Sequence, residues 1–141
     1  MHKTQRRERF TKSAECHRDV RVEMLLGVIG CSVGGVARHI VTSAMTAWRG
    51  ERFPWGTLLV NIVGSALMGG ILGMAIEDRA WSFLLLGFCG GFTTFSAFSL
   101  QNLSLLSEGR RVALIVYILT SLGLGLVAFF LCGTWLNGKY A

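Results

Sequence analysis

The chain has 141 residues, of which 52% are hydrophobic and 16% are charged, and its mean hydropathy is +0.51. This balance argues against a water-soluble domain, and a soluble helical bundle is further disfavoured because no predicted helix has a polar face. The formal net charge of +6 comes from residues that cluster outside four long apolar stretches. Each stretch exceeds the roughly 20 residues that a helix needs to cross a bilayer. We therefore predict an all-α membrane protein with four transmembrane helices, at about residues 24–48, 55–76, 80–107 and 112–136.

Residues 1–23 precede the first span and are polar and basic, so we predict a disordered N-terminal tail. The four-helix transmembrane domain follows at 24–141. The tail lacks the short hydrophobic core of a signal peptide. Contact with anionic lipid or nucleic acid is the alternative for such a segment, although we expect no nucleic-acid partner. Translation from Met24 would remove the tail altogether.

The tail decides the predicted orientation of the chain. With four spans, both termini and the middle loop share one side, which holds nine Lys and Arg: seven in the tail, Arg79 and Lys139. The opposite side holds four, namely Arg49, Arg52, Arg110 and Arg111. Without the tail the count becomes two against four, so the positive-inside rule reverses its answer. A membrane core with so little bias suits an antiparallel dimer of identical chains.

The first predicted helix carries a strip of small residues followed by an arginine. Gly30 and Gly34 lie four apart, which favours close approach of another helix, and Arg38 continues the strip. A charged group at this depth costs ~2.5–3.5 kcal/mol on insertion scales, so we expect Arg38 to face protein or water, where it would attract an anion. Snorkelling to the membrane surface is the alternative.

The second predicted helix begins near Pro54, whose missing N–H is no loss at a helix start. Ser65, Gly69 and Gly73 form another packing strip. Asn61 lies one turn before Ser65 on that face, and its amide needs a partner inside the membrane. It either links two helices or lines a polar path, and the sequence leaves both open.

The third predicted helix contains the stretch "GFCGGFTTFSAFS", residues 87–99. Its glycines and hydroxyl side chains weaken a helix, and we predict a break near residues 90–94. Non-helical backbone at membrane depth persists only where it lines a cavity or is buried in protein, and its free carbonyls can bind a cation. Phe95 and Phe98 share a face, and their ring edges can contact an anion. The alternative is that the glycines pack and the phenylalanines face lipid.

In the fourth predicted helix, Tyr117 and Ser121 lie four apart, so their hydroxyls follow one face. They either pass an anion from one donor to the next or bond back to their own helix. Asp, Glu and Lys are absent from the four predicted spans, which leaves His39 as the candidate for proton coupling. The sequence shows no catalytic triad, phosphate loop or zinc signature, so we predict no enzyme.

Four motifs occur in order along residues 24–133: "GGVARH", "GTLLVNIVGSALMGG", "GFCGGFTTFSAFS" and "SLGLGLVA". In these motifs the chain resembles the CrcB/Fluc family of fluoride channels. The resemblance implies a dual-topology homodimer of antiparallel subunits that exports fluoride passively across the cell membrane, which is the inner membrane in a Gram-negative bacterium. It also implies a structural sodium ion at the dimer centre, held by the main-chain carbonyls of Gly90 and Thr93 from each chain.

The same resemblance implies a set of fluoride-pore residues. They are Phe95, Phe98, Asn61, Arg38, Tyr117, Ser121 and Thr94. Four positions depart from the family's usual pattern, and they are Ala97, Gln101, His39 and Gly125. Gly125 stands where a further hydroxyl is expected after Ser121. A small multidrug-type exporter is the alternative function, but it needs a membrane-embedded glutamate that the spans lack. A membrane scaffold would explain the glycine strips but not the cluster of hydroxyl and phenyl groups.

Overall fold

The computed structural model describes residues 2–74 and 78–140, with the side chains of 2–18, 80 and 140 excepted. Every regular element in these residues is a helix. The helices are α1 (His2–Arg49), α2 (Trp55–Gly73), α3 (Arg79–Phe92), α4 (Phe95–Ser107) and α5 (Arg111–Tyr140). Residues 75 and 76, at the end of the predicted second span, and residue 141 lie outside the described part.

Four stretches of the described chain are long and apolar enough to cross a membrane. They are Asp19–Arg49, Trp55–Gly73, Trp81–Ser107 and Arg111–Lys139. The third stretch includes α3 and α4. The prediction of an all-helical protein with four membrane-length helices is therefore confirmed.

Helix α1 begins at His2 and so includes the segment for which the sequence predicts disorder. Its 48 residues correspond to about 72 Å at 1.5 Å per residue, well beyond the thickness of a bilayer. Two physical reasons favour this continuation. Arg, Lys, Gln and Glu are strong helix formers, and a helix that extends an existing one needs no new nucleus.

The helices pack in two close pairs, α1 against α3 and α2 against α5. A Cβ added at Gly30 or Gly34 would collide with the α3 backbone, and one added at Gly87 or Gly91 would collide with the α1 backbone. In the second pair, a Cβ at Gly69 would meet the α5 backbone at Phe129. The predicted glycine strips are thus confirmed as places where two helix backbones touch.

Two short loops lie at the same end of the helices. Gly50 follows α1 and Gly109 follows α4, and both have positive φ angles, 76° and 71°, that favour glycine. Nη1 of Arg110 donates a hydrogen bond to the carbonyl of Arg52, which ties the α4–α5 loop to the α1–α2 loop. This placement agrees with the predicted order of four spans, in which these two loops share a side.

A small apolar cluster joins α2, α4 and α5 near that end, with Leu58, Leu105 and Tyr117 at its centre. Most other apolar side chains are exposed on the single chain, including Val33 and Val36 of α1 and Leu100 and Leu103 of α4. Exposed apolar surface of this kind suits contact with lipid or with another membrane protein.

Candidate functional site

Thr93 and Thr94 lie between α3 and α4, and we call this pair the α3–α4 junction. Helix α3 continues through Gly90 to Phe92, since the N–H of Thr93 still donates to the carbonyl of Cys89 at 2.9 Å. Thr94 has extended backbone (φ −152°, ψ 119°) and begins α4 as its N-cap. Its hydroxyl accepts the N–H of Ala97 at 3.2 Å and shares a hydrogen bond with the Ser96 hydroxyl at 3.1 Å.

Asn61 of α2 binds the junction through both ends of its amide. Its Oδ1 accepts the N–H of Thr94 at 3.0 Å, and its Nδ2 donates to the carbonyl of Thr94 at 3.3 Å. Asn61 thus links α2 to the α3–α4 junction, which is one of the two roles that the sequence leaves open for it. The amide stands in for the main-chain partners that a continuous helix would supply to Thr94.

These side-chain bonds redirect two N–H groups from their usual acceptors. In a continuous helix the N–H of Thr94 would donate to the carbonyl of Gly90, and the N–H of Ala97 to that of Thr93. Here they donate to Asn61 Oδ1 and Thr94 Oγ1. The carbonyls of Gly90 and Thr93 thereby lose the donors that a helix would give them. Gly90 is also exposed, and a Cβ added to it would meet nothing within 4 Å.

A groove of about 370 Å³ lies beside the junction, between α2, α4 and α5. Its lining combines amide, hydroxyl and phenyl groups with apolar side chains. The lining residues that bear these groups are Asn61, Ser65, Thr93, Thr94, Phe95, Phe98, Ser121 and Phe129. Six of the nine site residues predicted from the sequence therefore meet here, and they are Asn61, Thr93, Thr94, Phe95, Phe98 and Ser121.

The two predicted pore phenylalanines line the groove as neighbours. The ring centroids of Phe95 and Phe98 are 5.9 Å apart with planes inclined by 35°. The Phe95 side chain is 80% exposed on the single chain, whereas Phe98 is partly covered by the Tyr117 ring at 5.3 Å. Ring edges carry partial positive charge, so the Phe95–Phe98 pair adds a weakly positive element to a lining that is otherwise polar and apolar.

Tyr117 and Arg38 are not among the groove-lining residues. Tyr117 has no exposed surface, and its hydroxyl donates to Oε1 of Gln101 at 2.8 Å, so it lies behind Phe98. Arg38 is half-buried on α1, where its carbonyl accepts the hydroxyl of Thr42 at 2.9 Å. The structure thus places Ser121 in the groove but separates it from the other member of the predicted hydroxyl pair.

Sequence reasoning missed two contributors. The spacing of Ser65, Gly69 and Gly73 predicts a packing role for Ser65, yet Ser65 lines the groove, and a Cβ at Gly125 would lie 3.4 Å from its Oγ. Its hydroxyl therefore lies beside position 125. The sequence marks Gln101 only as a departure from the family pattern, but in the structure it is the hydrogen-bond partner of Tyr117. Its spacing of three residues from Phe98 places it on the same side of that helix and is the sequence feature that points to it.

Known proteins resemble the chain over most of its length. Residues 25–134 match the family described as "CrcB-like protein, Camphor Resistance (CrcB)". The "Fluoride-specific ion channel FluC" of Coxiella burnetii (strain Dugway 5J108-111) is 43% identical over 123 residues, which are 82% of this chain and 94% of that protein. The protein of that name from Rhizobium meliloti (strain 1021) is 41% identical over 114 residues, 76% of this chain and 90% of its own.

A third relative of the same name, from Geobacter sulfurreducens, is 39% identical over 116 residues, 79% of this chain and 86% of its own. Identity at this level over more than two thirds of both chains accompanies the four membrane-length apolar helices. The chain is a multi-pass membrane protein and belongs to the CrcB-like family.

Proposed function

We propose that the chain is a passive fluoride-selective ion channel, not an enzyme, that exports fluoride across the cell membrane and lowers its cytoplasmic concentration. One observation carries the proposal. The groove beside the α3–α4 junction combines hydroxyl and amide groups with the Phe95–Phe98 pair, and none of the described residues that line it bears a charged side chain. The names of the relatives agree with this chemistry.

Such a lining suits a small anion that must shed water in steps. Hydroxyl groups of Ser65 and Ser121 can donate hydrogen bonds, and the phenyl ring edges offer weak positive charge. Each contact is weak enough to be exchanged for the next, which conduction requires. Larger anions would fit a narrow path poorly. Flow is passive because Asp, Glu and Lys are absent from the predicted spans.

We further propose that α3 and α4 form one broken membrane-crossing segment and that two chains pair in opposite orientations. The exposed Gly90 and the 80% exposed Phe95 support this pairing, since a second chain that packed against the junction would cover both. The small Lys and Arg bias of the membrane core supports opposite insertion. In a Gram-negative bacterium the location would be the inner membrane.

The main-chain carbonyls of Gly90 and Thr93 support a further proposal, which concerns a bound cation. Gly90 and Thr93 lose their helical donors to Asn61 Oδ1 and Thr94 Oγ1, and uncharged oxygen ligands suit a hard cation. We propose that these two carbonyls from each chain hold a structural sodium ion between the chains. The ion would supply positive charge that links the two junctions without itself being transported.

Liposomes containing the purified full-length chain test the channel proposal. We expect rapid loss of internal fluoride, measured with an ion-selective electrode, and retention of chloride under the same conditions. Fluoride that stays trapped with sodium present would overturn the proposal. Proton-driven uptake of an organic cation in its place would favour the exporter.

A phenylalanine variant locates the path. We expect the double substitution Phe95→Ile and Phe98→Ile to abolish fluoride flux while the dimer persists by size-exclusion chromatography in detergent. Phe83→Ile with Phe130→Ile is the matched control, because both side chains are exposed but neither lines the groove. Equal flux in the two variants would remove the Phe95–Phe98 pair from the path.

A further inference from the structure

The α1–α2 loop and the α4–α5 loop meet at one end of the helices, which we call the loop end. Arg49 is the last residue of the first membrane-length stretch, and Trp55 is the first residue of the second. The third stretch ends at Ser107 and the fourth begins at Arg111, at the same end. When these stretches lie in a bilayer, the loop end lies at the level of the lipid headgroups, a depth that suits tryptophan and arginine.

The loop end carries more positive than negative charge. Residues 48–55 and 108–111 contain four arginines and two glutamates, which are Arg49, Arg52, Arg110, Arg111, Glu51 and Glu108. Both glutamates line a small cavity at the loops together with Arg110, and Glu108 lies 3.5 Å from Nη1 of Arg110. Among the described residues, Trp48, Arg49 and Trp55 are not part of that lining. The two carboxylates are thus gathered around one cavity, and Arg49 lies outside it.

Arg49 lies over the rings of two tryptophans, and we call these three residues the Trp–Arg–Trp cluster. Its guanidinium carbon is 4.9 Å from the ring centroid of Trp48 and 5.1 Å from that of Trp55. Both distances are within the roughly 6 Å of a cation–π contact. Trp48 is near the end of α1 and Trp55 begins α2, so the cluster spans the α1–α2 loop, which turns at Gly50 with a φ of 76°.

The apolar cluster of α2, α4 and α5 supports one side of the Trp–Arg–Trp cluster. The Trp55 ring packs on Phe53 at a centroid distance of 4.7 Å, and Phe53 packs edge-on against Tyr117 at 5.8 Å. Trp55 is 37% exposed, whereas Trp48 is 74% exposed. Trp55 is therefore held in place by the fold, which lowers the cost of ordering the site around a ligand.

The hydrogen-bond donors of Arg49 are available. Contact with a ring uses the charge of a guanidinium but not its five N–H donors. Arg49 is exposed, and no described residue forms a hydrogen bond or an ion pair with its guanidinium, whereas Arg110 donates to the carbonyl of Arg52. A planar guanidinium matches two oxygens of a phosphate group, and the pair of charge-assisted hydrogen bonds is strong.

We propose that the Trp–Arg–Trp cluster binds the phosphate of an anionic phospholipid headgroup. The Arg49 guanidinium donates to the phosphate oxygens, and the exposed Trp48 ring lies beside the upper part of the acyl chains. The excess of arginine at the loop end favours an anionic lipid over a zwitterionic one. Inorganic phosphate offers the same oxygens but no acyl chains. The lipid site depends on the membrane location of the chain and not on fluoride conduction, so the two proposals can fail separately.

Native mass spectrometry of the purified full-length chain tests the site by counting bound lipids during a titration in detergent. The probes are phosphatidylglycerol, which is anionic, and phosphatidylcholine, which carries the same phosphate with a positive choline group. Inorganic phosphate is added as a competitor in a third series. The proteins are the wild type, Arg49→Gln, Arg49→Lys, Trp48→Leu and Arg111→Gln. Arg111 is the matched control, because it is exposed at the same end and has no contact with an aromatic ring among the described residues.

We expect the wild type to bind phosphatidylglycerol more tightly than phosphatidylcholine. Arg49→Gln should weaken binding of phosphatidylglycerol about tenfold, which is typical of a lost charge-assisted hydrogen bond, and Arg111→Gln about threefold or less. Arg49→Lys should lie between the wild type and Arg49→Gln, since it keeps the charge but loses the planar fork. Trp48→Leu should weaken binding about two- to fivefold through the lost ring contact.

Three results would overturn the lipid site. Equal losses in Arg49→Gln and Arg111→Gln would show only a general attraction to surface charge. Equal affinity of the wild type for both lipids would remove the preference for an anionic headgroup. Displacement of phosphatidylglycerol by an equal concentration of inorganic phosphate would assign the cluster to a free anion. If Arg49→Gln does not fold in detergent, Trp48→Leu decides, and an affinity equal to that of the wild type would count against the site.

Discussion

The glycine contacts between helices and the α3–α4 junction use small and polar residues in opposite ways. At Gly34 and Gly69 the missing side chain lets two backbones touch, so the glycine matters for what it leaves out. At the junction, Asn61 and Thr94 matter for what they add, since their side chains replace main-chain hydrogen bonds. The glycine contacts determine which helices pair. The side-chain hydrogen bonds at the junction determine where non-helical backbone lies beside the groove. Substitutions at the glycine contacts should therefore mainly lower stability, whereas substitutions at the junction should mainly lower fluoride flux.

The largest effect is expected at a backbone contact. Gly34→Ala places a Cβ against the carbonyl of Phe88, and the overpacking should destabilise the chain by about 1–3 kcal/mol. We expect a lower yield of folded protein and a lower melting temperature in detergent. Gly35→Ala is the control, because a Cβ there meets nothing within 4 Å. Equal melting temperatures for the two variants would contradict a packing role for Gly34.

The second effect is expected at the junction. Asn61→Ala leaves the N–H and carbonyl of Thr94 without their partner, at a cost of about 1–3 kcal/mol for each group that stays unpaired. Because Thr94 lines the groove, we expect the change to raise the barrier to fluoride movement. We expect flux to drop about tenfold or more, which corresponds to about 1.4 kcal/mol or more in that barrier.

Asn102→Ala is the matched control for Asn61→Ala. Its Oδ1 is buried without a hydrogen-bond partner within the described part of the single chain, so truncation there breaks no such bond. We expect flux close to that of the wild type. A larger loss of flux in Asn102→Ala than in Asn61→Ala would contradict the role assigned to Asn61.

A smaller effect is expected where a glycine lines the groove. A Cβ at Gly125 would lie 3.4 Å from the Ser65 hydroxyl, and no backbone of another helix is nearby to collide with it. Gly125→Ser should cost about 1 kcal/mol or less and change flux more than stability. Gly69→Ser should instead lower the melting temperature, since its Cβ would meet the Phe129 backbone. Comparing melting temperature and liposome flux for both variants checks whether glycines of the two kinds differ.

The contrast between the glycine contacts and the α3–α4 junction also explains which features the sequence could predict. The presence of four membrane-length helices and the close contacts at Gly30 and Gly69 follow from local sequence pattern, and the structure confirms both. The partner of Asn61 lies 33 residues away, so periodicity shows that the amide needs a partner but not which one. The hydrogen bond from Tyr117 to Gln101 links two helices as well. It holds Tyr117, which the resemblance places among the pore residues, behind Phe98 and outside the groove lining.

The N-terminal tail includes neither the glycine contacts nor the α3–α4 junction, so its removal should change neither of them. Deleting residues 2–23 changes the Lys and Arg count from nine against four to two against four. We therefore expect the majority orientation of the chain in cells to reverse while both orientations stay populated, because the positive-inside rule follows this count in short segments near the spans. Fusing a fluorescent protein or a secreted phosphatase to the C-terminus reports the side on which it lies.

A tail with its Lys and Arg changed to Gln should behave like the deletion, because charge rather than length sets the bias. Unchanged orientation in both variants would show that the membrane core orients itself. Melting temperature and liposome flux should match the wild type, since the contacts at Gly34 and Asn61 lie entirely within the membrane core.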